Sequence, residues 1–172
     1  MQVIYPTYPT TALEDWVTDF YLRLNIYHPD QNDMQLIARR YRIFLHKKPL
    51  PSCHQIVGRY RGITIDNREP PEVQREMFFH ELCHILRHCG VQSMMPEAFR
   101  QLQEWDARNF VRYAAIPHHM IRFIDFDDPH VIDQMASLFK VTHKLCEERL
   151  LQIKNRCTLK ISEAPNTYRV EL

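Results

Sequence analysis

Apolar residues recur along the chain at spacings of three and four, which is the period of an amphipathic helix. The first such segment covers residues 12–25, and Thr11 stands where a helix N-cap is expected. The same spacing predicts three further helices, over residues 34–41, 71–88 and 96–115. Pro71 near the start of the third helix and Gly90 just past its end are typical of helix limits.

Between the second and third helices, β-branched residues indicate a small hairpin. Its strands are predicted over 54–60 and 62–66, with a turn near Arg61 and Gly62. The sheet therefore precedes the third helix directly.

The C-terminal part is predicted to be a pair of helices, over 129–139 and 142–155, and the tail after Cys157 to be irregular or a short strand. The chain contains no internal repeat, low-complexity tract or linker. We therefore expect one mainly helical α+β domain over residues 1–172, with a core at 54–117 and a C-terminal helical pair at 129–155.

Composition removes several classes of function. The formal net charge of +1 argues against a broad electrostatic surface for nucleic acid or an anionic membrane. Three glycines leave no room for a glycine-rich phosphate loop, and no apolar run approaches the length of a membrane span. The five cysteines form no Cys-x-x-Cys pair, and the N-terminus lacks the pattern of a signal peptide. We expect a cytoplasmic protein with free thiols.

The third helix carries the motif His80-Glu81-Leu82-Cys83-His84. On a helical wheel its apolar residues occupy one face, and the histidines with Glu81 occupy the opposite face. His80 and His84 are one turn apart and can bind one zinc ion, while Glu81 flanks them as a general base. His88 continues the line of imidazoles, and we expect it beside the site or in solvent.

A catalytic zinc takes three protein ligands and leaves one position open. The fourth predicted helix offers two carboxylates, Glu104 and Asp106. Glu104 is preferred because its face of the helix is lined by small side chains that let a second helix approach, at Ala107, Val111 and Ala115. Asp106 projects among larger apolar residues, where it could orient a ligand histidine, pair with an arginine or itself be the third ligand.

These residues resemble the ImmA/IrrE family of HExxH metallopeptidases. The similarity is carried by residues 79–86 and 104–110, followed by 114–117. The family has a second motif after the HExxH helix, which corresponds here to residues 104–117. Four positions fit it, at Glu104, Ala107, Phe110 and Pro117. Arg108 departs from it, because an amide or carboxylate is usual there.

The resemblance implies a compact, zincin-like helical fold in which His80, His84 and Glu104 hold one zinc ion. In members from mobile elements it also implies cleavage of a helix-turn-helix repressor, so that this chain would be an antirepressor with a protein partner. His118 and His119, which follow the fourth helix, are candidates for stabilising the oxyanion.

Two alternatives remain at this stage. Residues 131–151 have the spacing of a helix-turn-helix, but Glu147 and Glu148 would lie on the helix meant for the DNA groove, which makes direct nucleic-acid binding unlikely. The other alternative is a zincin-like protein that has lost catalysis and only binds partners.

Overall fold

The computed structural model describes residues 8–88, 90 and 95–162, which form six helices around a three-stranded sheet. The helices are α1 (Ala12–Arg23), α2 (Met34–Arg40), α3 (Pro71–Arg87), α4 (Glu97–Ala115), α5 (Val131–Phe139) and α6 (His143–Ser162). The strands are β1 (Phe44–Lys48), β2 (Cys53–Val57) and β3 (Tyr60–Asp66), and two 3-10 turns cover Pro29–Gln31 and His118–Phe123. The predicted mainly helical α+β domain is confirmed. Within those described ranges, no helix is long and apolar enough to cross a membrane.

The sheet has one strand that the sequence pattern did not predict. Its order is β1–β3–β2, with β1 parallel and β2 antiparallel to the central β3. β1 has the sequence FLHKK and is mostly solvent-exposed, so it lacks the hydrophobic alternation on which a strand prediction depends. It is recognisable only through its pairing with β3.

The hairpin turn lies three residues earlier than predicted. Gly58 and Arg59 make the turn, and Gly58 has φ +58°, a conformation that glycine adopts without a steric penalty. Gly62, predicted at the turn, lies inside β3 instead. A Cβ at Gly62 would lie 2.5 Å from the hydroxyl oxygen of Tyr60, so a larger residue there would require the Tyr60 ring to move.

The C-terminal helix is longer than predicted. The tail after Cys157 was expected to be irregular or a short strand, but α6 continues to Ser162. The segment from residue 143 to residue 162 contains neither glycine nor proline, so nothing in it stops the helix. The rest of the tail, residues 163–172, lies outside the described residues.

Helix α3 lies at the centre of the fold, between the sheet and α4. Phe78, Phe79 and Leu82 on one face of α3 are fully buried. On α4, small side chains at Ala107, Ala114 and Ala115 are also fully buried and allow the two helices to pack closely. Burial of the apolar face orients the histidine face of α3 toward α4.

A buried ion pair joins α1 to α6. The carboxylate of Glu14 lies 2.8 Å from the guanidinium of Arg149, and both side chains are fully buried. Tyr8 donates a hydrogen bond to the same carboxylate, and Arg156 contacts its other oxygen. Burial by itself would raise the pKa of Glu14, but Arg149 and the hydrogen bonds around it hold that pKa below its ordinary value of 4.5.

The substitution Glu14→Gln is expected to lower the free energy of unfolding by about 3–5 kcal/mol, because it leaves Arg149 buried without its counter-charge. Urea unfolding at pH 7 measures this, with Glu147→Gln, an exposed change on α6, as control. Because the pKa of Glu14 is lowered in the fold, its contribution is present above pH 4.5 and disappears as the pH falls through the folded-state value. Equal stability of Glu14→Gln and the control would contradict the role of this ion pair.

Candidate metal centre

The two motif histidines are presented by the polar face of α3. Because the opposite face is fixed in the core, His80 and His84 stand one turn apart toward α4. The side chain of His84 is only 3% exposed, whereas that of His80 is 27% exposed. The pair therefore has a protein-enclosed side and a solvent side.

Glu104 of α4 completes a triangle with the two histidines. The Nε2 atoms of His80 and His84 lie 3.2 Å apart. Carboxylate oxygens of Glu104 lie 3.2 Å from Nε2 of His80 and 3.4 Å from Nε2 of His84. In a tetrahedral site with bonds of about 2.0–2.1 Å, neighbouring ligand atoms are about 3.3–3.4 Å apart. The two nitrogen–oxygen distances are to different oxygens of Glu104, and each is close to this ligand spacing, so the three residues fit a zinc ion.

The protonation of His84 also suits a metal ligand. Burial, together with the neighbouring imidazoles His80 and His54, lowers the pKa of His84 to about 4. A histidine must be neutral to coordinate a metal ion. His84 is therefore in its binding form across the neutral pH range.

Asp106 lies behind the triangle and reaches His84 through His88. Nδ1 of His88 is 2.8 Å from Nδ1 of His84, and Nε2 of His88 is 3.1 Å from the Asp106 carboxylate. A cation at Nε2 of His84 requires the proton on its Nδ1, which donates to His88, and His88 then donates to Asp106. His88, which was expected beside the site or in solvent, is half-buried between these two partners.

Arg87 fixes the position of Asp106. Its Nε and Nη2 donate to the two carboxylate oxygens at 3.0 and 3.2 Å, and its guanidinium lies 5.3 Å from the centre of the Trp16 ring. Burial alone would raise the pKa of Asp106, but hydrogen bonds from Arg87 and His88 hold it below its ordinary value. Asp106 is thus a charged, paired carboxylate, as one of the sequence-based alternatives expected.

A second group, made of Cys83, His88 and Asp106, also brings three potential ligand atoms together. Burial and the nearby Asp106 raise the pKa of the Cys83 thiol, so that it stays protonated, whereas a metal-binding cysteine is a thiolate. Arg87 already neutralises the carboxylate of this group. The group therefore suits hydrogen bonding better than metal binding.

Sequence reasoning missed His54, which lies on β2. Its Nδ1 is 2.7 Å from a carboxylate oxygen of Glu81, and its ring stacks on that of His84 with centroids 4.8 Å apart. Glu81 is itself nearly buried, at 9% exposure. No spacing rule links His54 to the motif 27 residues later, so only the packing of β2 against α3 reveals it.

His118 and His119 lie elsewhere in the fold. The His118 ring makes an edge contact with Tyr8, and Nε2 of His119 is 3.3 Å from the carbonyl oxygen of Ile26. Neither belongs to a group of potential metal ligands within the described residues. The predicted oxyanion role has no support in this geometry.

A known protein family covers most of the elements described above. The profile of the IrrE N-terminal-like domain, a peptidase family designated M78, matches residues 44–151, which is more than half of the chain. The chain belongs to the IrrE N-terminal-like family. The resemblance inferred from the sequence motifs is thereby confirmed. The matched range includes β1, the metal triangle and most of the helical pair.

Two relatives of this IrrE-like chain come from Bacillus subtilis (strain 168). The phage-like element PBSX protein XkdA is 30% identical over 168 residues, covering 91% of this chain and 85% of the relative. The uncharacterized protein YqaB is 32% identical over 145 residues, covering 83% of this chain and 84% of the relative. No solved structure matches the chain.

Proposed function

We propose that this protein is a zinc-dependent endopeptidase that cuts a helix-turn-helix transcriptional repressor in the cytoplasm. The observation that carries the enzymatic part is the triangle of His80, His84 and Glu104, in which the distances between potential ligand atoms are close to those around a tetrahedral zinc ion. The peptidase designation of the family supports the reaction type.

His80, His84 and Glu104 would hold the zinc ion, which would supply Lewis-acid chemistry for a peptide carbonyl and lower the pKa of a water molecule toward 7. Glu81 takes the proton from the attacking water and returns it to the leaving amine. One of its carboxylate oxygens, Oε2, is held by His54, which leaves Oε1 as the atom that receives the proton. His54 therefore fixes the orientation of the general base.

An extended segment of a protein suits the shape of the site. β2, which carries His54, pairs with β3 along one edge, and no other strand in the described part of the chain pairs with its second edge. An open strand edge binds an extended peptide through backbone hydrogen bonds. A folded repressor offers such a segment in a linker or a locally unfolded element, which restricts cutting to few places.

The repressor as substrate rests on the family resemblance and on a relative. XkdA is named for a phage-like element, which is the mobile-element setting for which the resemblance implies repressor cleavage. The thiols of Cys53, Cys83 and Cys146 are free, which suits the reducing cytoplasm.

DNA binding by α5 and α6 has less support. Arg149 is fully buried and paired with Glu14, so it is not available to a phosphate. Arg156 also contacts Glu14, and Glu148 pairs with Arg112 of α4. The helical pair therefore directs two of its cations into the fold, whereas a DNA-binding surface presents its cations outward.

Co-expression of the protein with the repressor encoded beside it is expected to give a single cut, mapped by mass spectrometry of the fragments. Little activity is expected on casein or on short random peptides. The matched control is co-expression with the Glu81→Gln variant, which is expected to leave the repressor intact.

Two results would count against the proposal. An intact repressor together with efficient digestion of unrelated proteins would indicate a general peptidase. The same fragments from Glu81→Gln would assign the cleavage to a host protease.

A further inference from the structure

A groove of about 320 Å³ opens directly beside the metal triangle. His80 belongs both to the triangle and to the lining of this groove. Arg108, also in the lining, stands one helical turn after Glu104 on α4. The groove is therefore continuous with the site at which a peptide bond would be cut.

The floor of the groove is apolar, and a hydrogen bond holds its helices together. Val73 and Met77 of α3, Val111 of α4 and Leu145 of α6 line it. The turn before α6 is held against α3, because the backbone N–H of Thr142 donates to the carboxylate of Glu76 at 2.8 Å. Three helices thus form a fixed apolar floor of the size that accepts one or two side chains.

The rim of the groove is basic. Arg108 and Lys144 are exposed, and no described contact pairs either side chain with a carboxylate. Arg112 donates to Glu148 at 2.7 Å, so these two charges compensate each other, whereas the backbone hydrogen bond to Glu76 leaves its negative charge in place. Arg108 and Lys144 therefore outweigh the one remaining carboxylate, and the rim has an excess of positive charge.

We infer that this groove is a specificity subsite for the substrate segment next to the scissile bond. It takes an apolar side chain on its floor and a neighbouring Asp or Glu at Arg108 and Lys144. The inference rests on the proposed peptidase function, since it assumes that the segment crosses the triangle at His80. Arg108 stands where the family usually has an amide or carboxylate, so this preference distinguishes the chain from such relatives.

The test uses peptide hydroxamates, which bind zinc and need not be cleaved. One pair, acetyl-Asp-Leu and acetyl-Lys-Leu hydroxamate, extends from the metal toward the N-terminal side of a substrate. A second pair carries an isobutylsuccinyl hydroxamate followed by Asp amide or Lys amide and extends the other way. Calorimetry on the zinc-loaded protein measures all four affinities, and amide chemical shifts of Val111 and Leu145 report contact with the groove.

In one of the two pairs, the Asp compound is expected to bind about three- to tenfold more tightly than the Lys compound. Arg108→Glu is expected to remove or reverse this preference. The matched control is Arg100→Glu, an exposed arginine two turns earlier on the same helix and outside the groove, which is expected to leave the preference unchanged.

Equal affinities within both pairs would overturn the subsite while leaving the metal site in place. Failure of all four compounds to bind protein that carries zinc would also overturn it, as would equal effects of Arg108→Glu and Arg100→Glu. A protein that takes up no zinc would instead overturn the proposed function, and the subsite would fall with it.

Discussion

Glu81→Gln is expected to keep its fold and its zinc and to lose turnover of the repressor by about 10²–10⁴-fold. Glutamine has the shape of glutamate and can still accept a hydrogen bond from His54, which lies 2.7 Å from the native carboxylate. Its amide cannot take up a proton near neutral pH, so the attacking water is no longer activated. Repressor cleavage by purified, zinc-loaded protein measures the loss.

The matched control for this variant is Glu72→Gln, which removes an exposed carboxylate from the first turn of the same helix. It is expected to cut at the wild-type rate. Loss of zinc in Glu81→Gln would show that Glu81 is a ligand and not a base. Full activity in Glu81→Gln would remove Glu81 from the mechanism.

Removal of a metal ligand is expected to empty the site. His80→Ala and His84→Ala each delete one corner of the donor triangle, and purified variants are expected to carry almost no zinc by elemental analysis. Glu104→Gln is expected to weaken zinc binding strongly, because it also removes one corner of the donor triangle. Asp106→Asn is expected to lower the affinity for zinc by about 10–100-fold, because Asp106 acts on His84 through His88.

His130→Ala is the matched control for the histidine variants, because its side chain is 78% exposed and belongs to neither group of potential ligands. Unchanged zinc content in His80→Ala would contradict the assignment. If Asp106→Asn empties the site and Glu104→Gln does not, the roles of these two carboxylates are exchanged.

The sequence pattern predicts the helices well and the sheet only in part. Helices such as α3 and α4 have apolar residues at the helical period over many turns and prolines near their ends, and both signals are local in the sequence. β1 has no such signal, because its mostly exposed residues are recruited by the backbone of β3. The position of the hairpin turn depends on whether Gly58 or Gly62 adopts a positive φ. The spacing of residues does not decide between the two glycines.

The site shows the same division between local and non-local information. His80, Glu81 and His84 share one helix, so their geometry follows from the helical period. Glu104 was predicted from the small residues on its face of α4, which let another helix approach. Its distances to the two histidines depend on how α3 and α4 pack, which the sequence pattern does not give. His54 contacts Glu81 from a strand, and Arg87 contacts Asp106 from a different helix. Neither contact leaves a pattern in the sequence.

The stretch of family similarity, residues 44–151, is not the same as a unit that can fold alone. The hydroxyl of Tyr21 on α1 donates to the carbonyl oxygen of Ala114 at 2.5 Å, at the end of the helix that carries Glu104. Arg149 lies inside the matched range while Glu14, its buried partner, lies outside it. A fragment trimmed to the matched boundaries would therefore expose an apolar surface on α4 and bury an unpaired charge, so α1 belongs to the minimal folded unit.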